Sequence, residues 1–348
     1  MRVLLLGEFS GVHNNLKKGL EFHDHYAFLC ANGDGFKNLN FDFKIEKYDK
    51  TNNFYRIKNV INFYKHIRLF IRYDVVQFIS SNVFPTYFKL AGISLIIKIF
   101  NKKMSYYICG TDPTYLKSKS NFDYFPFDQN SSEMPKYRLY NIIFHNIFLK
   151  NMDFLIPSMY TYYIGYKEYS KITRMVPLPS FDSETYSVKT KNKLKILFGI
   201  TREEFKGAKF ILEALRRIEK VYKEFISIEI VKQIEFKDYV KKVDQCDILI
   251  DQCKVYEYGM NSIYGLERGK IVLSGNNPAI HPYNNFFKCP IIHIKPDENF
   301  IFEEIEKLIK KDSFAIEKLK FKGPNYVKNI HDYKEVSKLF LNVWRQTK

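Results

Sequence analysis

Cysteine is scarce in this chain: its 348 residues include only five, and none of them forms a CxxC pair. Zinc sites and disulfide frameworks need several cysteines at regular spacings, so we expect neither. Reduced thiols in a cytoplasmic protein are the simplest interpretation. Long hydrophobic runs are absent as well. The longest, residues 90–100, contains Lys98 and is much shorter than the roughly 20 residues that cross a bilayer, so no transmembrane segment is predicted.

Several catalytic signatures are missing too. The sequence has no Walker-type phosphate loop, no HExxH zinc motif and no GxSxG nucleophile elbow. No Asp-x-Asp pair follows a predicted strand, where it would hold a divalent metal under a nucleotide, and the eight histidines form no convincing metal set. We therefore expect no cofactor and no bound metal.

Acidic residues are outnumbered. There are 38 Asp and Glu against 55 Lys and Arg, which gives a formal net charge of +17. This excess favours anionic partners, such as nucleic acid, nucleotide phosphates or an anionic membrane surface, without choosing among them. No zinc-finger, helix-turn-helix or RNP pattern accompanies the charge, so nucleic acid is the least expected of the three.

Short apolar segments alternate with longer helical patterns in the first half of the chain. Because the crossovers are long, this alternation predicts βαβ units and a parallel sheet. The predicted strands are Val3–Leu6, Tyr26–Cys30, Val75–Ser80, Ser105–Cys109 and Phe154–Pro157. The predicted helices are Asn14–Glu21, Tyr55–Arg72, Tyr87–Phe100, Tyr137–Lys150 and Tyr160–Tyr169.

The second half repeats the pattern after a proline-containing linker at Met175–Ser187. We predict domains at 1–180 and 190–328 and a final helix within 329–348 that packs back on the first domain. Two Rossmann-like domains of this kind leave a cleft between the carboxyl ends of their sheets, where ligands bind in open α/β folds. The predicted strands are Leu194–Gly199, Ile226–Val231, Ile248–Asp251, Ile271–Ser274 and Ile291–Ile294, and the predicted helices are Lys209–Lys223, Phe302–Lys310 and Asp332–Gln346.

The turn after the first strand is the first candidate site. Gly11, His13 and Asn14 lie where a small-residue turn opens a helix, which allows a ligand to approach closely and favours anions. The turn is not GxGxxG, so a dinucleotide fingerprint is absent. An ordinary βα turn with Asn14 as helix cap is the alternative.

The second candidate follows the first strand of the second half. Gly199 ends the strand, and Arg202 and Lys206 stand where the phosphates of a ligand would lie. A planar guanidinium and a compact ammonium are together suited to a diphosphate. A solvated salt bridge between Arg202 and a neighbouring glutamate is the alternative.

Two further segments end at the predicted cleft. In the second half, Gly259, Met260, Asn261 and Ser262 open a helix whose amides would face a phosphate or a sugar, unless it is merely a capped core helix. In the first half, Asp112 follows a strand and is expected to face the cleft, or else to cap the helix after it.

In combination, five segments resemble the GT-B glycosyltransferases, specifically the group-1 (GT4-like) family of bacterial capsule and O-antigen synthesis. They are MRVLLLGEFSGVHNNLKKGL, YYICGTD, VPLPSFD, FGITREEFKG and DILIDQCKVYEYGMNSIYGLERGKIVLSG. Each motif is weak alone, but together they span nearly the whole chain in the family's order.

The resemblance implies a function. A nucleotide-diphosphate sugar would bind mainly to the second domain and a glycan acceptor, commonly linked to polyprenyl diphosphate, mainly to the first. Transfer would need no metal and would usually retain the anomeric configuration. Lys206 and, with a less typical spacing, Arg202 would stabilise the departing diphosphate, and Asp112 or His13 would position the acceptor hydroxyl or relay its proton. Residues 87–103, apolar with flanking lysines, would touch an anionic membrane surface on the cytoplasmic side or form a buried crossover helix.

The chain departs from the family at its paired glutamates, which are separated by seven residues. Counted from Gly269, the second glutamate falls at Tyr264; counted from Glu267, the first falls at Gly259. Either Glu267 supplies the carboxylate that grips the donor ribose from a shifted position, or none does. The hypothesis is a glycosyltransferase, and the alternative is a catalytically silent GT-B-like protein that binds a nucleotide or a glycan.

Overall fold

The computed structural model describes residues 1–45, 64–84, 93–128, 131–180, 193–283 and 289–346, together with the single positions 57 and 61. The first part of the predicted helix Tyr55–Arg72, apart from positions 57 and 61, the first part of Tyr87–Phe100 and the end of the linker Met175–Ser187 lie outside these ranges. The exact domain limits therefore stay a prediction.

The first domain is built on a six-stranded sheet with the order β3-β2-β1-β4-β5-β6, parallel throughout. Both faces are covered, which explains why its inner strands are almost continuously apolar. The strands are β1 (Arg2–Leu6), β2 (Tyr26–Ala31), β3 (Phe43–Lys44), β4 (Val75–Phe78), β5 (Lys103–Ile108) and β6 (Phe154–Pro157). The α-helices described are α1 (Val12–Phe22), α2 (Ile93–Phe100), α3 (Pro113–Lys117), α4 (Leu139–Asn151) and α5 (Tyr160–Tyr166).

The second domain has a five-stranded parallel sheet with the order β11-β10-β9-β7-β8. Its strands are β7 (Leu194–Ile200), β8 (Ile226–Lys232), β9 (Ile248–Ile250), β10 (Ile271–Ser274) and β11 (Ile292–His293). Its helices are α6 (Glu203–Lys206), α7 (Ala208–Tyr222), α8 (Phe236–Gln245), α9 (Met260–Glu267), α10 (Glu298–Ile309), α11 (Ser313–Lys320) and α12 (Lys322–Ile330).

The last helix, α13 (Tyr333–Arg345), crosses back and packs against α1 of the first domain, as predicted. Its apolar stripe is buried there: the ring of Phe340 lies 4.9 Å from that of Tyr107 in β5. The indole Nε1 of Trp344 donates to Ser105 Oγ over 3.2 Å. The two domains are therefore joined by the linker and by this helix.

The predicted strands include every strand of the described residues except the two-residue edge strand β3, but five short helices, α3, α6, α8, α11 and α12, were not predicted. Helix α8 has an amphipathic spacing, and its apolar residues are only partly buried apart from Val243. The helices that were not predicted are four to ten residues long, so each has too few turns for its apolar spacing to stand out in the sequence.

Candidate functional site

A cavity of about 590 Å³ lies between the two domains. It sits at the carboxyl ends of the parallel strands in both sheets, as expected for open α/β folds. The first domain lines it with the loops after β1, β2 and β5 and the start of α5; the second domain lines it with the loops after β7, β8 and β9. Of the predicted site residues, six line this cavity: Gly199, Arg202, Lys206, Gly259, Met260 and Asn261.

Lys206 is nearly buried in the wall of the cavity. Its Nζ lies 3.0 Å from Oδ1 of Asp251 and donates to the carbonyl oxygen of Gly199 over 2.7 Å. Burial alone would raise the pKa of Asp251, but the Lys206 charge and hydrogen bonds from Ser262 and Asn261 outweigh it and hold that pKa below its usual value. Asp251 is thus ionised, and its contact with Lys206 fixes that side chain in place.

Arg202 is the second cation of the cavity. Its guanidinium lies over the ring of Phe205, 3.6 Å from the ring centroid. The walls of the cleft lower the pKa of this arginine by desolvation, with Glu133 among the neighbouring groups that act in the opposite sense. The predicted alternative, a salt bridge to a neighbouring glutamate, is not seen among the described residues. Arg202 is therefore held by an aromatic contact and remains open to a ligand.

The start of α9 forms a third side of the cavity. Gly259 caps the helix, and Met260 and Asn261 line the cavity. The Nδ2 of Asn261 donates to Asp251 Oδ1 over 2.9 Å, and the Oγ of the fully buried Ser262 donates to Asp251 Oδ2 over 2.7 Å. Asp251, which the sequence reading passed over as a mere strand end, therefore ties Lys206 to this helix.

The turn after β1 meets the second domain through Tyr264. The Tyr264 hydroxyl donates to the carbonyl oxygen of Ser10 over 2.9 Å. Gly11, the cap of α1, has φ 86°, and a Cβ at this position would lie 2.5 Å from that hydroxyl. Glycine is thus required here both by the backbone and by the approach of Tyr264.

His13 and Asn14 lie behind this turn and do not line the cavity. His13 is fully buried with Nδ1 2.7 Å from the Gly7 carbonyl oxygen, and burial lowers its pKa to about 4. Asn14 Nδ2 donates to Glu8 over 2.7 Å, and burial raises the pKa of Glu8 to about 7. Since α1 begins at Val12 after Gly11, the alternative role of Asn14 as helix cap is wrong.

Asp112 turns away from the cavity that it was expected to face. It caps α3 by accepting from the Tyr115 N–H over 2.8 Å, while the hydroxyls of Tyr106 and Tyr166 donate to its other oxygen over 2.7 and 2.6 Å. Cys109, Gly110 and Thr111 of this loop line the cavity, whereas Asp112 does not. The structure thus agrees with the alternative of a helix cap.

Glu267 is also absent from the cavity lining, because it is the last residue of α9. A helix of eight residues places its ends roughly 12 Å apart, and it is the opposite end that faces the cavity. The Glu267 carboxylate instead accepts from Ser180 Oγ over 3.1 Å and pairs with Arg268. It belongs to the contact with the linker.

Glu257 is the principal residue that the sequence reading missed. It is buried, and its carboxylate accepts from the N–H groups of Tyr160 and Thr161 and from the Thr161 hydroxyl, at the start of α5 in the other domain. Glu133 does the reverse, accepting from the N–H groups of Glu204 and Phe205. Each domain therefore holds a helix start of its partner domain with a carboxylate, and only the fold reveals this.

No protein-family model matches the chain, and no curated protein has a significantly similar sequence. Solved structures do match over its whole length. Sucrose-phosphate synthase from Thermosynechococcus elongatus has a TM-score of 0.68 at 14% identity, covering 99% of both chains. HepE from Anabaena, in complex with UDP and glucose, has a TM-score of 0.65 at 12% identity, covering 100% of both.

The catalytic domain of starch synthase IV from Arabidopsis thaliana, bound to ADP and acarbose, has a TM-score of 0.62 at 10% identity and covers 99% of this chain and 98% of its own. These structures share the two parallel-sheet domains. The chain has the GT-B fold. The narrower GT4-like capsule and O-antigen family stays a prediction.

None of the helices in the described residues is long and apolar enough to cross a membrane. In the same ranges, no three His, Cys, Asp or Glu side chains are placed to hold a metal ion together.

Proposed function

We propose that the protein is a glycosyltransferase that moves a sugar from a nucleotide-diphosphate donor to a glycan acceptor. The observation that carries this proposal is the convergence of Arg202, Lys206 and the start of α9 on one cavity between two GT-B domains. Two cations and a helix N-terminus suit a diphosphate. Solved structures of the same fold that are titled as complexes with UDP or UDP-glucose support a nucleotide donor.

The reaction breaks the bond between the anomeric carbon and the diphosphate oxygen, which keeps the electron pair. The acceptor oxygen bonds to the anomeric carbon, and its proton passes to the departing diphosphate oxygen. Lys206, Arg202 and the amides at Met260–Ser262 would stabilise the negative charge on the departing diphosphate without a metal ion. Asp251 fixes Lys206 in place, and Asp112 and His13 act by shaping the loops around Gly110 and Ser10. Retention at the anomeric carbon is the expected stereochemistry.

A silent nucleotide- or glycan-binding protein is the second candidate. The observation that favours it is the full engagement of Lys206, whose Nζ already contacts both Asp251 and the Gly199 carbonyl. A cation held in this way still binds an anion, but it stabilises less the negative charge that develops on the leaving group during the reaction.

A polyprenyl-diphosphate-linked acceptor at an anionic membrane surface is the partner we propose. Helices α2 and α4 are adjacent and expose apolar side chains, which we call the apolar patch: Leu95, Ile99, Leu139, Ile143 and Ile147. Residues 87–92 of the predicted surface segment lie outside the described ranges. Because the exposed basic residues Arg138, at the N-cap of α4, and Lys150, in its last turn, lie on the same segment as the patch, the patch suits an anionic lipid surface.

The test is a thermal-melt panel of UDP-, GDP-, CMP- and dTDP-sugars, followed by a transfer assay. A donor at about 100 times its Kd adds about 2.7 kcal/mol to the unfolding free energy. We expect one nucleotide to stabilise the wild type but not Lys206→Ala. Lys209→Ala is the matched control: Lys209 is exposed and lies about one turn beyond Lys206, so this variant should be stabilised like the wild type. Donor binding without transfer to any glycan would favour the silent protein, and binding of no nucleotide would contradict the proposal.

A further inference from the structure

The first-domain wall of the cavity has a corner formed by the loops that follow β1 and β2. Two aromatic and two charged side chains of these loops line it, and we call them the corner residues: Phe9, Asp34, Phe36 and Lys37. Ser10 lies among them and joins the corner to the second domain, because its carbonyl oxygen accepts from the Tyr264 hydroxyl. The corner is therefore fixed relative to the wall that carries Arg202 and Lys206.

Asp34 is held through one of its two carboxylate oxygens. Its Oδ2 accepts from the Ser10 N–H over 2.8 Å and from Lys37 Nζ over 2.5 Å, and the same ammonium donates to Ser10 Oγ over 2.7 Å. Ser10 and Asp34 have φ 52° and 56°, in the left-handed region that residues other than glycine rarely adopt. Such a backbone persists only where its surroundings hold it, as these hydrogen bonds do. The position of the carboxylate is thus set before a ligand binds.

The other oxygen, Asp34 Oδ1, is open to a ligand. No hydrogen bond or ion pair reaches it from any residue in the described part of the chain, and 21% of the Asp34 side chain is exposed. Glu133 and Asp251, the other described carboxylates that line the cavity, use both oxygens in contacts with the protein. A carboxylate only accepts, so the ligand group that suits Oδ1 is a hydroxyl or an N–H.

Phe36 gives the same corner an apolar face. It is 41% exposed, lines the cavity, and lies two residues from Asp34 in the 3₁₀ turn Gly35–Lys37. A sugar ring has an apolar C–H face and a rim of hydroxyls, so it packs on an aromatic ring while its hydroxyls bond to polar groups. An exposed phenyl ring beside a fixed carboxylate therefore suits a sugar.

We propose that this corner is the subsite for the terminal sugar of the acceptor, with a hydroxyl of the sugar donating to Asp34 Oδ1 and its ring packed on Phe36. This inference rests on the proposed function and names the acceptor site within it. It gives the first domain the acceptor-binding carboxylate that Asp112 and His13, which are buried and do not line the cavity, cannot supply. The sugar then lies across the cavity from the two cations of the second domain.

Asp34→Asn tests the hydrogen bond without changing the shape of the corner. The Ser10 N–H and the Lys37 ammonium both donate, so the asparagine must turn its oxygen towards them and place its amino group where Oδ1 was. The acceptor that faces the ligand is thereby replaced with a donor. Asp24→Asn is the matched control, because Asp24 also has a left-handed backbone, with φ 58°, but is exposed and does not line the cavity.

Sugar binding is measured on the full chain by titrations followed with saturation-transfer NMR, with and without UDP. The probes are the methyl glycosides of glucose, galactose, mannose and N-acetylglucosamine. We expect at least one probe to bind the wild type and Asp24→Asn equally. Its Kd for Asp34→Asn should be about tenfold higher, as for the loss of a hydrogen bond to a charged group. Binding of no probe, or an equal Kd for all three proteins, would overturn the inference.

Two further variants test the aromatic contact. Phe36→Leu should weaken binding of the same probe about three- to tenfold, whereas Phe36→Tyr should not, since only the tyrosine keeps a flat ring face. Wild-type binding by Phe36→Leu would overturn the packing on Phe36.

The nucleotide melt panel separates this inference from the proposed function. Asp34→Asn should be stabilised by the donor nucleotide like the wild type, because Asp34 lies on the wall opposite the cations. Loss of that response in Asp34→Asn would place Asp34 at the donor, and it would overturn the inference while the proposed function stands. A wild type that binds a sugar through Asp34 but binds no nucleotide would contradict the proposed function alone.

Discussion

The carboxylate of Glu257, in the second domain, accepts two hydrogen bonds from Thr161 in the first: 2.8 Å from the backbone N–H and 2.7 Å from the hydroxyl. It accepts a third from the Tyr160 N–H over 3.0 Å. These residues lie beside the cavity, where Thr161 is part of the lining. The closed arrangement of the two domains is therefore held by a buried carboxylate next to the site itself.

Glu257→Gln should weaken this contact. The amide nitrogen cannot accept from the donors at the start of α5, so buried polar groups lose their partner, which costs about 1–3 kcal/mol. We expect a lower free energy of unfolding in urea denaturation. Glu235→Gln, at an exposed glutamate whose carboxylate pairs with Lys237, serves as the control and should change stability by less than about 0.5 kcal/mol. Equal stability of both variants would show that the interdomain cap contributes nothing.

Gly11→Ala should destabilise the protein through Tyr264. Any side chain at φ 86° is strained by about 1–2 kcal/mol, and its Cβ would also lie too close to the Tyr264 hydroxyl. Gly35→Ala is the matched control, because Gly35 has φ 68° but nothing within 4 Å of its Cβ. Gly11→Ala should lower the free energy of unfolding more than Gly35→Ala, and Tyr264→Phe should recover part of the difference.

Lys206 and Asp251 should be energetically coupled. Lys206→Ala leaves a buried carboxylate without its cation, which typically costs about 3–5 kcal/mol. Removing the charge with Asp251→Asn in the same chain should recover part of that loss. A double-mutant cycle measured by urea denaturation gives the coupling. Additive effects of the two substitutions would argue against the ion pair.

The fully buried His331 should make the protein less stable in acid. Burial lowers the pKa of His331 from 6.5 to about 4. Between pH 4 and 6.5 the imidazole is therefore protonated in the unfolded chain but neutral in the folded protein. The contribution of His331 to the free energy of unfolding is therefore fully present above about pH 6.5. It is lost as the pH falls towards 4, and the loss amounts to about 3 kcal/mol. His331→Gln should flatten the slope of unfolding free energy over pH 4–6.5. His281→Gln, at an exposed histidine, should not.

The apolar patch should dock on anionic vesicles. Ile143→Asp introduces a charge at its centre and should reduce flotation with vesicles that contain phosphatidylglycerol. Phe314→Asp, at an exposed apolar residue of α11 in the second domain, is the matched control and should float like the wild type. If flotation changed neither with the lipid charge nor with Ile143→Asp, docking through the apolar patch would be contradicted.

The two parallel sheets and the positions of their strands can be predicted from the sequence, because buried strands are continuously apolar and the crossovers between them follow a regular alternation. The position of Lys206, Arg202 and the start of α9 beside the cavity can be predicted as well, since residues that follow parallel strands gather at one sheet edge. Those inferences need only local pattern and topology.

Which of these residues contact one another depends on long-range packing. Asp112 and His13 carry suitable chemistry and follow the right strands, yet both are buried beside the cavity and bound to neighbours on their own domain. Tyr264 meets Ser10, and Glu257 meets Thr161, across separations of 254 and 96 residues. Such contacts depend on how two domains close on each other, and no local pattern in the chain encodes that geometry.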